Sequence, residues 1–344
     1  SVPTSTPGAS ADASGNGVHC TWINVASEPV GPGTSGVAGS PSSSGARALT
    51  NVSTGRSATP ADQHRWPWSG QTAKTMTADA RGRAYVLVSS PYARASSYIA
   101  VMDLATGTVL RHLCVAEQGE SVLALRATPD GEMIYASVWR WPGYPQMVDH
   151  AGTSGRLLAI STQTGHTVAR ASLPDETAVV EISLAAPPAG SRLVGDPGAL
   201  ALYAITSTPG PKKDEMLYPT HSTRYTLTAF DSDHLGAITF WDLEHQPSGI
   251  VVTPNGQRAY LLHGATSWAP WSRTLTSLDL TSGGVAQAWP LPPGCYNIAY
   301  SAIGKLYVTD TLEDRLWRVN TATDTFLGSI PMPGAPVAVA ARPL

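Results

Sequence analysis

The sequence predicts an all-β fold of repeated four-stranded units, a β-propeller, and three observations carry the prediction. The segment TPDGEMIYASVW, residues 128–139, returns as TPNGQRAYLLHG, residues 253–264. In each, a Pro-Asp-Gly or Pro-Asn-Gly turn opens a short run of Tyr and apolar residues, the pattern of two antiparallel strands joined by a tight turn. A second alternating hairpin follows each copy, its polar turn often ending in Thr-Gly, as in YIAVMDLATGTVLRHL from Tyr98. No stretch keeps a 3.6-residue period, which excludes a helical solenoid. Four short strands per repeat, at a period of several tens of residues, mark a propeller blade.

Taken in order, residues 1–17 are almost all Ser, Gly, Thr, Ala and Pro. They read as an extended N-terminal arm that cannot build a core of its own and must lie on the propeller or on a neighbouring molecule. Residues 18–344 are read as the propeller. VHCTWINVA, residues 18–26, reads as a strand, and RALTNVSTGRSAT, residues 47–59, matches the second hairpin of the later repeats. First hairpins start at Ala78, Thr128, Thr253 and Ser301; second hairpins start at Tyr98, Arg156, Thr226, Thr274 and Arg315. The residues just before the second turns, Asn51, Asp103, Ser161, Asp231, Asp279 and Asn320, recur at intervals of 41 to 70 residues. That spacing predicts six blades, with seven as the alternative because the longest interval has room for a degenerate unit. PVAVAARPL, residues 336–344, has the pattern of an innermost strand, which the N-terminal copy lacks. The two chain ends are therefore expected to complete one blade and close the ring, protecting its edges.

The Tyr-containing strands, YVTD at residues 307–310 above all, resemble the YVTN family of propeller repeats. The resemblance covers residues 78–344. It implies the fold, usually with seven blades, and says little about function.

Bulk composition removes several classes of function. A net charge of -3 and a pI near 6.3 give no long-range attraction to phosphate backbones, so nucleic acid is not an expected partner. No run of 18 apolar residues is present to span a membrane. The sequence begins SVPTSTPGASADASGNG, which resembles a mature terminus after signal-peptide removal, and an extracellular protein is expected. Three cysteines permit one disulfide and one spare thiol. The loose chain around residues 18–26 favours a cross-link from Cys20 to Cys114 or Cys295, with Cys114 the preferred partner.

In a blade, the loop between the second and third strands and the link to the next blade open on one face. Here those loops are residues 90–97, 140–155, 208–224, 264–273 and 311–314, and four of the five are long. They carry Tyr92, Trp139, Trp141, Tyr144, Tyr218, His221, Trp268 and Trp271. Ten Trp against three Phe concentrates indole rings where strands end, which suits stacking on sugar rings or anchoring a protein interface. The competing reading packs these rings over their own loops against Pro142, Pro145 and Pro270.

The function expected is that of a secreted, non-enzymatic binding or self-assembling protein, such as a filament or surface-layer component. Its expected partners are other copies, another extracellular protein, or a glycan or cell-wall polymer. No cofactor is required by this reading. The alternative is a metal-dependent hydrolase, lactonase or lyase at the channel mouth. Aligning the innermost strands places Glu120, Glu181, His245 and Asn297, with Cys295, near one end, where they form a candidate divalent-cation site. This arrangement resembles the calcium sites of six-bladed lactonase-like propellers, although their ligand motifs are absent. Gly-x-Ser-x-Gly, His-Glu-x-x-His, phosphate-loop and dinucleotide motifs are absent too. Asp103, Asp231 and Asp279 recur because a turn wants a short acceptor, so they are read as architecture.

Overall fold

The computed structural model describes residues 37–39, 49–51, 72–89, 98–115, 120–140, 154–175, 177–191, 193, 199–212, 221–245, 247–263, 273–301 and 304–332. Two short strands, β1 (Val37–Gly39) and β2 (Leu49–Asn51), pair with each other. The remaining strands form five antiparallel four-stranded sheets, each in chain order from innermost to outermost. Blade A holds β3 (Thr72–Ala78), β4 (Arg83–Ser89), β5 (Tyr98–Asp103) and β6 (Val109–Cys114). Blade B holds β7 (Glu120–Ala127), β8 (Met133–Arg140), β9 (Ser154–Ser161) and β10 (Thr167–Asp175). Blade C holds β11 (Ala178–Ala185), β12 (Ala201–Lys212), β13 (His221–Asp231) and β14 (Ala237–Leu243). Blade D holds β15 (Pro247–Val252), β16 (Arg258–His263), β17 (Arg273–Asp279) and β18 (Val285–Leu291). Blade E holds β19 (Cys295–Ser301), β20 (Lys305–Asp310), β21 (Arg315–Asn320) and β22 (Thr325–Pro331). The first strands β3, β7, β11, β15 and β19 pack successively on one another, the arrangement of a β-propeller.

The described blades number five, where six, or seven, were expected. The sixth unit rested on Asn51. Its strand β2 instead pairs back with β1, Val37 opposite Asn51, and enters no four-stranded sheet. An anchor ahead of a Thr-Gly turn is a local signal and does not fix which neighbour its strand takes. Strands β12 and β13 also run into the segment read as loop 208–224, extending that hairpin. The arm of residues 1–17, the strand at 18–26 and the closing strand at 336–344 lie outside the described residues.

The repeated turn motif does more than reverse the chain. Thr128 Oγ1 donates to Asp130 Oδ1 at 2.5 Å and accepts from Met133 N at 3.0 Å, and Thr253 makes the same bonds to Asn255 and Arg258 N at 2.7 and 3.1 Å. Gly131 and Gly256 sit at φ +66° and +67°, where a Cβ is strained. A Cβ on Gly256 would also lie 2.4 Å from the carbonyl oxygen of Ala186 in blade C. The motif glycine therefore lets one blade's turn press against the preceding blade. The repeated tyrosine continues this stitching. Tyr135 Oη donates to Ser232 O at 3.1 Å in blade C, and Tyr260 Oη to Asp324 Oδ1 at 2.7 Å in blade E. Burial raises the pKa of both phenols, which keeps the donating proton in place.

The recurring aspartates are architectural, as read from the sequence. Asp103 Oδ1 accepts from Ala105 N and Thr106 N at 2.8 Å, and Asp279 Oδ1 from Thr281 N and Ser282 N at 2.8 and 2.9 Å. These bonds hold both carboxyls below the ordinary carboxylate range, Thr106 N–H and Ser282 N–H contributing most.

Alternation along the strands, interrupted by a bulge in each blade, gives each blade two apolar faces, and the core is divided among the interfaces between blades. Tyr85, Leu87 and Ile99 of blade A meet Val122, Val138 and Leu158 of blade B. Tyr135 and Leu157 meet Ile182, Leu202 and Phe230 at B–C, Tyr203 and Leu227 meet Ile250 and Leu261 at C–D, and Tyr260 and Leu275 meet Ile298 and Val308 at D–E. At A–B and C–D, Leu113 and Trp241 each lie against the left-handed turn glycine of the next blade, 3.2 Å from where a Cβ on Gly165 or Gly283 would stand. Strand register puts Ala171 in the corresponding place of blade B, and the next turn holds Leu235 at φ +55°. Leu235 is buried in the cluster on which Ala171 packs, so a large residue fills the space that a small one leaves. Leu235→Gly should relieve backbone strain but empty that space, for a net loss of about 1–3 kcal/mol in denaturant unfolding. A more stable variant would mean that strain outweighs packing there.

Candidate functional site

The first strands begin, and the second-to-third-strand loops leave, on the same face of the ring. The loop residues Tyr92, Trp141, Tyr144, Tyr218, Trp268 and Trp271 lie outside the described residues. Trp139, next to the last residue of strand β8, lies opposite Ser121 and is half-buried. His221 opens strand β13.

In blade E the loop between the second and third strands is a tight turn, residues 311–314, and local hydrogen bonds fix it. Asp310, fully buried, accepts at Oδ1 from Leu312 N and Glu313 N, both at 3.1 Å, and at Oδ2 from Trp317 Nε1 at 3.1 Å. Gly294 O accepts from Thr311 N at 2.8 Å and from Thr311 Oγ1 at 3.0 Å. A Cβ on Gly294 would lie 2.8 Å from Leu312 Cβ, so the turn and the start of β19 are in direct contact. Leu312 is left 69% exposed beside the exposed Glu313 and Asp314, and Tyr296, in the bulged start of β19, is 58% exposed. Two large apolar side chains thus project from a corner held by five hydrogen bonds.

Two of the four metal-ligand candidates are paired with arginines. Glu120 faces the A–B interface with its side chain only 4% exposed and is ion-paired to Arg156. Glu181 lies 3.8 Å from Arg126, whose guanidinium also donates to Ile182 O at 2.9 Å. Burial raises the Glu181 carboxyl pKa, with Arg126 opposing the shift. His245 is exposed, with Nδ1 2.9 Å from Glu244 O and its ring edge-on to His263 at 6.2 Å between centroids. Asn297 is held by the bond from its backbone N–H to Thr309 Oγ1 at 2.9 Å. Among the described residues, no three His, Cys, Asp or Glu side chains are grouped to hold a metal ion. Shared strand ends placed these residues near one face; side-chain alternation sent the carboxylates into interfaces between blades.

The cysteine expectation is corrected in part. Cys295 is a free, buried thiol, so it is not the partner of Cys20, and burial, with the nearby Asp310 carboxylate, pushes its pKa up to about 12. Cys20 and the side chain of Cys114 lie outside the described residues. A thiolate reagent at neutral pH should leave Cys295 unmodified in the folded chain and label it on unfolding. Rapid native labelling of Cys295 would contradict this burial.

Sequence reasoning missed Tyr296, Leu312, Arg126 and Arg156. The available signal for Leu312 was an apolar residue inside the four-residue turn Thr-Leu-Glu-Asp; the arginines gave none, because their partners lie on strands far apart in sequence.

No family model matches the chain, so the resemblance to YVTN repeats rests on the motifs alone. The comparison with curated proteins gives no match either. Among solved structures, the chain is similar to Kuenenia stuttgartiensis hydrazine synthase at 16% identity and TM-score 0.47, covering 79% of this chain and 90% of that one. It is also similar to a chain of the mitotic checkpoint complex, at 10% identity and TM-score 0.46 over 77% of this chain and 65% of that one. The β-propeller domain of Myceliophthora thermophila Cps50 (Swd1) gives 10% identity and TM-score 0.45 over 79% and 90%. Among the described residues, no helix is long and apolar enough to cross a membrane.

Proposed function

We propose that this chain is an extracellular, non-enzymatic propeller that binds another protein chain or a surface glycan through the face on which its long loops open. The observation that carries the reading is the corner of blade E, where buried Asp310 pins the turn and leaves Leu312 and Tyr296 exposed on that face. Exposed apolar side chains on a hydrogen-bonded turn need little backbone ordering on contact, which favours a binding role. Trp141, Trp268 and Trp271 fall in the sequence between the second and third strands of blades B and D, which adds to the reading. The pairing of Glu120 and Glu181 with arginines supports binding over metal-dependent hydrolysis.

Closure of the ring belongs to the same proposal. Val86, Val88 and Ala100 on the outward face of blade A are fully buried, as are Tyr307 and Thr309 on the far face of blade E, although no described blade covers either. The space between A and E is therefore proposed to be filled, closing the ring.

Binding is tested with the double variant Tyr296→Ser/Leu312→Ser. Co-sedimentation with insoluble cell-wall polymer and self-association by analytical ultracentrifugation should each fall at least about tenfold wherever the wild type shows them. The melting temperature should stay nearly unchanged, because both side chains are exposed. A variant that melts normally and retains all association would overturn the assignment of this face.

A further inference from the structure

Away from the loop-bearing face, the innermost strands β7 and β11 hold a charged pair toward the centre of the ring, and Arg126 reaches from one strand to the other. Its Nε and Nη2 both donate to Ile182 O, at 3.1 and 2.9 Å, while Glu181 Oε1 accepts from Ile182 N at 3.0 Å. The two ions thus hold the same residue without bonding each other, since Nη2 stands 3.8 Å from Oε1, beyond hydrogen-bond range. Among the described residues, Arg126 Nη1 and Glu181 Oε2 make no hydrogen bond. The side chains are 24% and 18% exposed, so solvent reaches the pair.

The pair is electrically isolated. Of the strands packed against β11, β7 carries Glu120, which is taken by Arg156 of β9; Tyr135 of β8 and Tyr203 of β12 donate to Ser232 O and Ala186 O; Arg140 and Lys212 end β8 and β12; and β15 has no titratable side chain. Arg126 is therefore the charge that acts on Glu181, and burial works against both ions. It raises the Glu181 pKa and lowers that of Arg126, each against the pull of its partner. An anion arriving alone would set two negative charges against one guanidinium; an anion arriving with a proton leaves the site neutral. We propose that Arg126 and Glu181 form a binding site for a small carboxylate anion taken up together with one proton. The proton passes from solvent to Glu181 Oε2, whose O–H donates to one ligand oxygen, while Arg126 Nη1 donates to the other.

Isothermal titration calorimetry of the full chain with sodium acetate, against sodium chloride at equal ionic strength, tests this. Acetate binding should strengthen by up to about tenfold for each unit that the pH falls between 8 and 6, and buffers of different ionisation heat should show uptake of about one proton. Glu181→Gln keeps a donor in place, so it should retain binding and lose the pH dependence. Arg126→Gln should weaken binding at least about tenfold. Where Arg126→Gln does not fold, Glu181→Gln decides alone, because it deletes a buried charge and keeps the side chain's shape. Tyr296→Ser/Leu312→Ser should leave acetate binding unchanged, so this inference and the reading of the loop-bearing face fail separately. No acetate binding, binding without proton uptake, equal binding of chloride, or a pH dependence that survives Glu181→Gln would overturn the inference.

Discussion

Arg156→Met is expected to destabilise the chain by about 3–5 kcal/mol, because it strips the cation from a carboxylate that cannot reach bulk water. Glu120 has a side chain 4% exposed, and its ion pair with Arg156 sits at the A–B interface among Val122, Val138 and Leu158. Removing both charges in Glu120→Leu/Arg156→Met should recover most of the loss, since an apolar pair of similar volume is often as stable as a buried ion pair. Equilibrium urea unfolding of the three proteins checks this. A single variant within about 0.5 kcal/mol of wild type would mean that the pair is screened by water.

Gly256→Ala should cost about 3 kcal/mol or more, through two terms that a second site separates. At φ +67° any Cβ is strained, and here it would also meet Ala186 O at 2.4 Å, with Pro187 O at 3.0 Å. Those atoms are backbone and cannot swing aside. Gly82 holds the equivalent turn of blade A at φ +80°, and a Cβ placed there would meet nothing within 4 Å. Gly82→Ala should therefore show the conformational term alone, about 1–2 kcal/mol. Equal losses at the two sites, measured by the same unfolding experiment, would mean that the turn of blade D does not press on blade C.

These two sites show what a repeat reveals and what it conceals. The Thr-Pro-Asp-Gly and Thr-Pro-Asn-Gly turns, the tyrosine strands and the Asp anchors were legible because each is local: the acceptor, the donor and the left-handed glycine lie within five residues. The same alternation of side chains located the strands and their order. The number of blades was less legible, because Asn51 gave a correct strand end but not the partner that β2 takes. The candidate site was hardest to read. Glu120 and Glu181 looked like ligands by their place near strand starts, but which face of the blade they occupy depends on a bulge, such as those between Val122 and Ala124 or Val179 and Glu181. A one-residue bulge reverses a side chain's direction, and nothing in the sequence marks it. Tyr296 became prominent through the same kind of bulge, at the start of β19.

The central claim is that the loop-bearing face is the one that meets a partner, and hydroxyl-radical footprinting tests it most directly because Tyr and Leu both report. The intact chain is compared dilute, at high protein concentration, and with soluble cell-wall glycan fragments. The account predicts that Tyr296 and Leu312 lose reactivity in at least one bound state while exposed Leu110 and Val168, on the rims of blades A and B, keep theirs. Unchanged reactivity of Tyr296 and Leu312 in both bound states, with protection elsewhere, would contradict it.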